Sequence, residues 1–192
     1  MKLQSLSILA ILVVCALSHL NHHSHPERAG LTVEKPLYVV HPLHGVEDNV
    51  NSPVTVNGFI EIPQGTNGKF ELDEESGLLK LDRVLATPVV FPINYGFLPK
   101  TIGLDNDPLD VMVISSLQIP SSTLVDVRIL GVMRMIDTGE VDDKLIGVPE
   151  KDPIYSGYKD LSDIPSQTLN KIKAFFETYK ILDNKKVSVV GF

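Results

Sequence analysis

Short β-rich segments, each closed by a turn, follow one another from Val54 onward and limit the folds that this chain can adopt. Lys69 to Asp73 alternates strictly between polar and apolar side chains, and the Ser76-Gly77 turn leads into Leu78–Leu85. This pattern predicts a β-hairpin. Thirteen glycines and thirteen prolines among 192 residues imply many turns, which suits short strands better than a helical bundle.

Further strands are expected in the second half of the chain, with a helix near its end. Leu109–Ile114 is apolar on both faces, as buried strands are, and Gly131 is a candidate bulge or bend within Leu124–Ile136. Helical periodicity appears late, in the apolar stripe of Leu169, Ile172, Phe176 and Tyr179. The sequence therefore predicts a mainly β, α+β domain: a closed or nearly closed β-barrel with a C-terminal α-helix.

The N-terminal segment has the pattern of an export signal. A positive start at Lys2 precedes the apolar run Leu6–Leu17, which is too short to span a membrane comfortably, and Ala16 and Ser18 suit cleavage after residue 18. We expect a signal peptide over 1–18, a polar linker over 19–36 and one folded domain over 37–192. The protein is then exported (periplasmic or secreted), with a cytoplasmic location or an uncleaved anchor as alternatives. The histidines of the linker either belong to a flexible leader without a role in binding or act as metal ligands.

Charge and cysteine content narrow the functional classes. The formal net charge is −7, which disfavours nucleic-acid binding because Lys and Arg supply that affinity. An anionic small substrate remains compatible if metal ions bring positive charge. The single cysteine, Cys15, excludes a disulfide within the chain and a cysteine-based zinc site.

Two acidic clusters carry the strongest chemical signal. The first is Asp105-Asn106-Asp107-Pro108-Leu109-Asp110, whose carboxylates are the ligands that Mg²⁺ prefers. An EF-hand loop is excluded, because its sixth and twelfth places would hold Asp110 and Ser116 in this chain. A solvated acidic turn is the simpler alternative, but a second cluster with Asp137, Asp142, Asp143 and Lys144 follows the long predicted strand.

At these positions the chain resembles the family I soluble inorganic pyrophosphatases. The order and spacing of the matching stretches agree over roughly residues 40–190, and the run from Asp105 to Val111 fits the family signature at each position. The other matching stretches are Glu61–Pro63, Lys69–Asp73, Ser76–Arg83, Phe91–Phe97, Met135–Lys144 and Phe175–Lys180.

The resemblance implies a fold, a reaction and a set of roles. The fold is a five-stranded OB-type barrel with flanking helices, and the reaction is Mg²⁺-dependent hydrolysis of pyrophosphate to two phosphates, with several ions per site. Asp105, Asp110 and Asp142 are expected to hold a first metal, Asp110 a second, Asp137 and Asp142 a third, while Glu71 assists a further ion. Asp107 matches the general base, and Glu61 is a candidate support behind the metal ligands. The residues that match phosphate-gripping positions are Lys69, Arg83, Tyr95, Lys144, Tyr179 and Lys180.

Each assignment also has a simpler explanation. Lys69 and Glu71 can form a surface pair, Tyr95 can be a turn aromatic, and Tyr179 can be half core and half ligand. Arg83 shares the parity of three leucines in its predicted strand, which points it inward, where a cation needs an anion partner. Phe91 stands where many relatives carry Tyr.

Two functional alternatives stay open at this point. They are an exported OB-fold binding module and an inactive relative that retains cation binding. We expect no stable membrane span after processing and no nucleic-acid partner. We also expect a homo-oligomer, since relatives in the family form hexamers or dimers.

Overall fold

Nine β-strands and one α-helix form the regular structure of the residues that the computed structural model describes, namely 40–49, 51–103 and 106–192. The strands are β1 (Thr55–Ile62), β2 (Gly68–Leu72), β3 (Leu79–Val84), β4 (Asn94–Phe97), β5 (Asp110–Val113), β6 (Thr123–Asp137), β7 (Glu140–Val141), β8 (Lys144–Pro149) and β9 (Val187–Gly191). The helix α1 spans Ser166–Thr178, and short 3₁₀ helices span Leu161–Asp163 and Ile181–Asp183.

Some sequence predictions fall outside this part of the chain. The signal peptide over 1–18, the linker over 19–36 and the metal ligand Asp105 lie outside the described residues. Among the residues that are described, no helix is both long and apolar enough to cross a bilayer.

Five strands close into a ring. β1 pairs with β4 and with β6, both antiparallel; β4 continues to β5 and β5 runs parallel to β8, which returns to β6. The antiparallel strands β7 and β9 extend the far end of β6, while β2 and β3 form a separate hairpin. The mainly β fold class with a C-terminal helix is confirmed.

The buried faces explain why β5 is apolar on both sides. Met112 belongs to the large apolar cluster that includes the helix residues Ile172 and Phe176, whereas Val111 and Val113 belong to a second cluster. The two clusters lie on opposite faces of the strand because successive side chains alternate. Burying Ile172 completely contributes on the order of 2 kcal/mol to folding, so the apolar stripe fixes α1 against the ring.

Two glycines adjust the ring near the site. The pairing of β6 with β8 shifts between Ile129 and Gly131, which confirms the bulge predicted there. At Gly96 a Cβ atom would lie 1.8 Å from the backbone oxygen of Phe59, so only glycine lets β4 approach β1 this closely. That approach sets the backbone position of the neighbouring Tyr95.

The prediction that Arg83 shares a face with Leu79 and Leu81 is wrong, and a bulge is the reason. Across the hairpin, Lys69 faces Arg83 whereas Phe70 faces Leu81, which leaves Asp82 as an extra residue in β3. Residues directly opposite each other share a face, and Lys69 and Phe70 point to opposite faces. Arg83 therefore lies on the face of Lys69 and away from that of Leu81.

Candidate active site

One cavity of about 510 Å³ collects the polar side chains at one end of the ring. β5 and β8 are parallel, and Val111 pairs with Leu145, so their first residues Asp110 and Lys144 lie side by side at the same edge. The antiparallel strand β6 ends at this edge with Asp137. The ring topology thus brings together residues that are 27 to 34 positions apart in sequence.

The cavity contains most of the predicted site residues. Eleven of them line it: Glu61, Lys69, Glu71, Tyr95, Asp107, Asp110, Asp137, Asp142, Lys144, Tyr179 and Lys180. Arg83 is not among the lining residues, although its charge acts on Tyr179, which is one of them.

Lys144 stands at the centre of the acidic residues. Its ammonium nitrogen lies 2.5 Å from Asp110 Oδ2 and 2.8 Å from Asp142 Oδ1, and its side chain is 3% exposed. Burial by itself lowers the pKa of Lys144, but the two carboxylates outweigh burial and raise it. The group therefore stays positively charged, and two carboxylate oxygens face the same small space.

A second cation, Lys180, follows α1 and pairs with Asp137. Burial alone raises the pKa of Asp137, yet hydrogen bonds from Lys180 and Thr138 lower it overall. The Lys180 ammonium also lies 5.1 Å from the centroid of the Tyr179 ring. The helix end thus delivers a positive charge and a hydroxyl to the same wall of the cavity.

The β2–β3 hairpin supplies a third charged group. Lys69 pairs with Glu71 and lies 3.5 Å from Asp82, whose other contact is Arg83 at 2.5 Å. The Nε atom of Arg83 is buried and has no hydrogen-bond partner among the described residues. A buried guanidinium N–H that lacks an acceptor is suited to an anionic ligand, because leaving such a donor unpaired is costly.

Two tyrosine hydroxyls remain protonated in this site. Burial, followed by the charges of Asp110 and Asp142, raises the pKa of Tyr95 well above its usual value. Burial and the charge of Asp137 likewise raise the pKa of Tyr179. Both side chains therefore keep a hydroxyl proton, and the hydroxyl of Tyr95 forms a hydrogen bond with Asp110.

Glu61 lies behind the metal-binding candidates and is only 7% exposed. Burial raises its pKa to about 8, with further increases from the charges of Asp110 and Glu71, despite a 2.7 Å hydrogen bond that the Leu72 N–H donates to its carboxyl. The carboxyl is therefore mostly neutral near pH 7 when no cation is bound.

The loop before β5 holds Asp107 at the cavity. Its backbone oxygen accepts a 2.7 Å hydrogen bond from Gly103 N–H, and the Leu109 N–H donates to Thr101 Oγ1 at 2.9 Å. Asn106 adopts a left-handed conformation with φ 70°, which asparagine tolerates better than most residues. These contacts close the loop, so that Asp107 lines the cavity beside Asp110.

Several lining residues were missed by the sequence analysis. They are Glu74, Thr138, Glu140 and Lys185. Phe91, in contrast, is 2% exposed and packs on Phe175 with ring centroids 4.7 Å apart, so it belongs to the core. Turn residues such as Lys185 carry no periodic signal, which is why pattern reasoning did not find them.

The donor set suits a hard divalent cation. The metal-ligand candidates of the described cavity all offer carboxylate oxygens, which hard cations prefer, and no histidine or cysteine lines it. Within the described ranges no three acidic, histidine or cysteine side chains form a ready metal cluster. Asp110 and Asp142 nevertheless converge on one ammonium group, which shows that two carboxylates can share a single cation.

Comparison with known proteins identifies the family. The inorganic pyrophosphatase family model matches residues 58–192. A soluble inorganic pyrophosphatase of Oryza sativa subsp. indica is 42% identical over 166 residues, which cover 86% of this chain and 78% of that protein.

Two solved structures are similar in fold. An inorganic pyrophosphatase from Thermus thermophilus matches with a TM-score of 0.75 and 36% identity, covering 79% of this chain and 88% of that one. An inorganic pyrophosphatase from Helicobacter pylori matches with a TM-score of 0.73 and 44% identity, covering 76% and 87%. The resemblance read from the sequence is confirmed, and the chain belongs to the inorganic pyrophosphatase family, hydrolases that split inorganic pyrophosphate into two phosphates.

Proposed function

We propose that this protein hydrolyses inorganic pyrophosphate with Mg²⁺ as the cofactor, using the cavity at the end of the strand ring. The observation that carries the proposal is the convergence of Asp107, Asp110, Asp142 and Lys144 in that cavity. Among the described residues, every polar side chain that the family resemblance assigned to the site is present at the cavity or beside it. This favours an enzyme over a binding module or an inactive relative.

Carboxylates at the cavity would hold the metal ions. Asp110 and Asp142 are the central ligands in this proposal, with Asp105, Asp137 and Glu71 completing the set. When bound, Mg²⁺ supplies the positive charge that lets a polyanion enter an acidic cavity and makes a water molecule more acidic. Glu61 supports the ligands from behind, where burial first and the charges of Asp110 and Glu71 next raise its pKa.

The remaining residues bind the substrate or take up a proton. Asp107 takes the proton of the attacking water, as a carboxylate at hydrogen-bonding distance from it can. Lys69, Arg83, Lys144 and Lys180 neutralise phosphate oxygens as charge develops on the leaving phosphate. Tyr95 and Tyr179 donate hydrogen bonds to phosphate oxygens through their hydroxyl groups, since both remain protonated at neutral pH.

Phosphate release from pyrophosphate tests this function. We expect release with Mg²⁺, none with EDTA, and a decrease of about a hundredfold or more for Asp107→Asn, because a general base contributes that much. The exposed Asp48→Asn, away from the cavity lining, serves as the control and should be fully active. Unchanged turnover in Asp107→Asn would remove this residue as the base, and an inactive wild type would remove the function.

We further propose that the protein is exported after removal of residues 1–18 and that it forms a homo-oligomer. The basis for export is the Lys2 start, the apolar run and the small residues before position 19. N-terminal sequencing of protein from its host tests the first statement, since an intact Met1 on cytoplasmic protein contradicts it. Sedimentation equilibrium tests the second, and a monomeric mass at micromolar concentration contradicts it.

A further inference from the structure

Four lysines line the cavity, and three of them are engaged by carboxylates of the same molecule. The engaged lysines are Lys69, Lys144 and Lys180. The fourth, Lys185, forms no ion pair with any carboxylate of the described ranges, and it is exposed. Lys185 thus offers a positive charge that no acid within residues 40–49, 51–103 and 106–192 neutralises.

The backbone fixes where Lys185 emerges. Its N–H donates to the carbonyl of Lys180 at 3.4 Å, and Asn184 between them has φ 56°, which closes the turn after the second 3₁₀ helix. The Thr138 N–H donates to the carbonyl of Lys186 at 3.0 Å. The turn is therefore held from both sides.

This turn continues directly into β9, and β9 is paired with the wall that carries Asp137. Val187 lies opposite Asp137 in the register of β6 and β9. Lys185 precedes Val187 by two residues, so its backbone is anchored close to the acidic wall while its side chain remains solvated. A solvated lysine on an anchored turn can reach an anion without first breaking an internal ion pair.

The charge of the cavity makes such a group useful. Eight acidic residues line it against four lysines, so a polyanion meets repulsion wherever bound cations do not reach. For three of the lysines, a phosphate oxygen must compete with a carboxylate that is already in contact. Lys185 has no such competitor among the described residues.

We propose that Lys185 binds a phosphoryl group of pyrophosphate at the rim of the cavity and determines affinity for the substrate. This inference rests on the proposed function. A rim charge interacts with the phosphoryl group similarly before and during the reaction, so its contribution is uniform binding. Its loss therefore raises KM and leaves kcat largely unchanged.

The neighbouring lysine provides a matched control. Lys186 is also exposed, but it does not line the cavity. We expect Lys185→Ala to raise KM for pyrophosphate about tenfold, as for loss of a hydrogen bond to a charged group, with kcat within about twofold of wild type. Lys185→Arg should restore most of the affinity, and Lys186→Ala should match wild type.

A binding measurement separates this inference from the proposed function. Calorimetry with methylenediphosphonate and Mg²⁺ should show weaker binding, by about the same factor, for Lys185→Ala alone. An unchanged KM and an unchanged dissociation constant for Lys185→Ala, or an equal change in Lys186→Ala, would overturn the role of Lys185. If wild type fails to hydrolyse pyrophosphate, the proposed function is wrong, and selective weakening of methylenediphosphonate binding still decides whether Lys185 contacts a phosphoryl group.

Discussion

Aspartates in two regions of this molecule are satisfied by different kinds of partner. Asp152, in the turn after β8, accepts hydrogen bonds from the hydroxyls of Ser115 and Ser116 and from the N–H groups of Ser116 and Ile154. In the cavity, Asp110 and Asp142 instead face one shared ammonium group. Neutral hydroxyl and backbone N–H donors hold the Asp152 carboxylate for structure. The shared ammonium of Lys144 holds carboxylates that can also bind another cation.

The pKa values express the same difference. Burial by itself raises the pKa of Asp152, but the donors from Ser116 and Ile154 outweigh burial and lower it. Glu61 at the cavity has too few donors to offset its burial and its acidic neighbours, and its pKa rises to about 8. Protein donors therefore stabilise the negative charge of Asp152, whereas those at Glu61 do not offset the cost of burying its charge.

Removing a cavity carboxylate should have the largest effect, and the effect should be on activity. We expect Asp110→Asn to lower kcat about a hundredfold to a thousandfold, the loss typical of a removed electrostatic contact in a site of this kind. Steady-state assays at saturating Mg²⁺ measure this. The melting temperature of the metal-free variant should stay near that of wild type, since Lys144 retains Asp142. A fully active Asp110→Asn would contradict the assignment of the cavity aspartates to function.

Removing the shared ammonium should instead reduce stability in a metal-dependent way. Lys144→Met leaves Asp110 and Asp142 facing each other, and breaking a buried ion pair in this way costs about 3 kcal/mol. Urea unfolding in EDTA measures the loss. Added Mg²⁺ should then recover more stability in Lys144→Met than it adds to wild type, because the cation replaces the missing charge.

Lys173→Met, at a partly exposed lysine, is the matched control for this experiment. Lys173 pairs with Glu177, one helical turn away at 3.8 Å, so the effect of Lys173→Met should stay within about 0.5 kcal/mol. Equal Mg²⁺ stabilisation of wild type and Lys144→Met would show that cations and Lys144 do not share these carboxylates.

The structural aspartate should show the opposite behaviour. Asp152→Asn replaces an accepting oxygen by an NH₂ group that faces protein donors, which costs about 2 kcal/mol and lowers the melting temperature by about 5 °C. Thermal unfolding measures this, with the exposed Asp183→Asn as control. Activity per folded molecule should remain that of wild type. A large loss of kcat without a change in melting temperature would reverse the roles assigned to the two regions.

The sequence predicts the individual strands better than it predicts which strands pair with each other. The buried strand around Val111 and the bulge at Gly131 follow from local pattern, because apolar periodicity and glycine act within a few residues. The strand β9 was missed, since Val187–Gly191 is short and follows two lysines. The contact of Lys144 with Asp110 depends on parallel pairing of β5 with β8, which no local pattern specifies. The family resemblance supplied that juxtaposition where the residue pattern did not.

Arg83 shows how a local irregularity defeats parity. Strict alternation placed it with the leucines of its strand, but the extra residue Asp82 turns it to the face of Lys69. The same bulge brings the Asp82 carboxylate to both cations. Bulges without a glycine leave little trace in a single sequence, so this part of the site required the structure.

The smallest predicted effect is on the pH dependence of stability, which has opposite signs for Glu61 and for Asp152. Glu61 has a pKa raised above its usual value of 4.5, so the folded state holds a proton that the unfolded state releases. Its contribution to stability is complete below pH 4.5 and is lost as the pH rises toward 8. Asp152, whose pKa is lowered, contributes above its usual value of 3.8 and loses that contribution as the pH falls below it.

Urea unfolding in EDTA at pH 5 and pH 6 isolates the Glu61 contribution. Across this one unit, wild type should lose about 1 kcal/mol more than Glu61→Gln, because one proton separates the two states in wild type alone. Contributions from all other residues are common to both proteins and cancel in the difference. Glu75→Gln, at an exposed carboxyl, should behave as wild type. Parallel pH dependence of Glu61→Gln and wild type would mean that burial and the acidic neighbours do not hold this carboxyl in its neutral form.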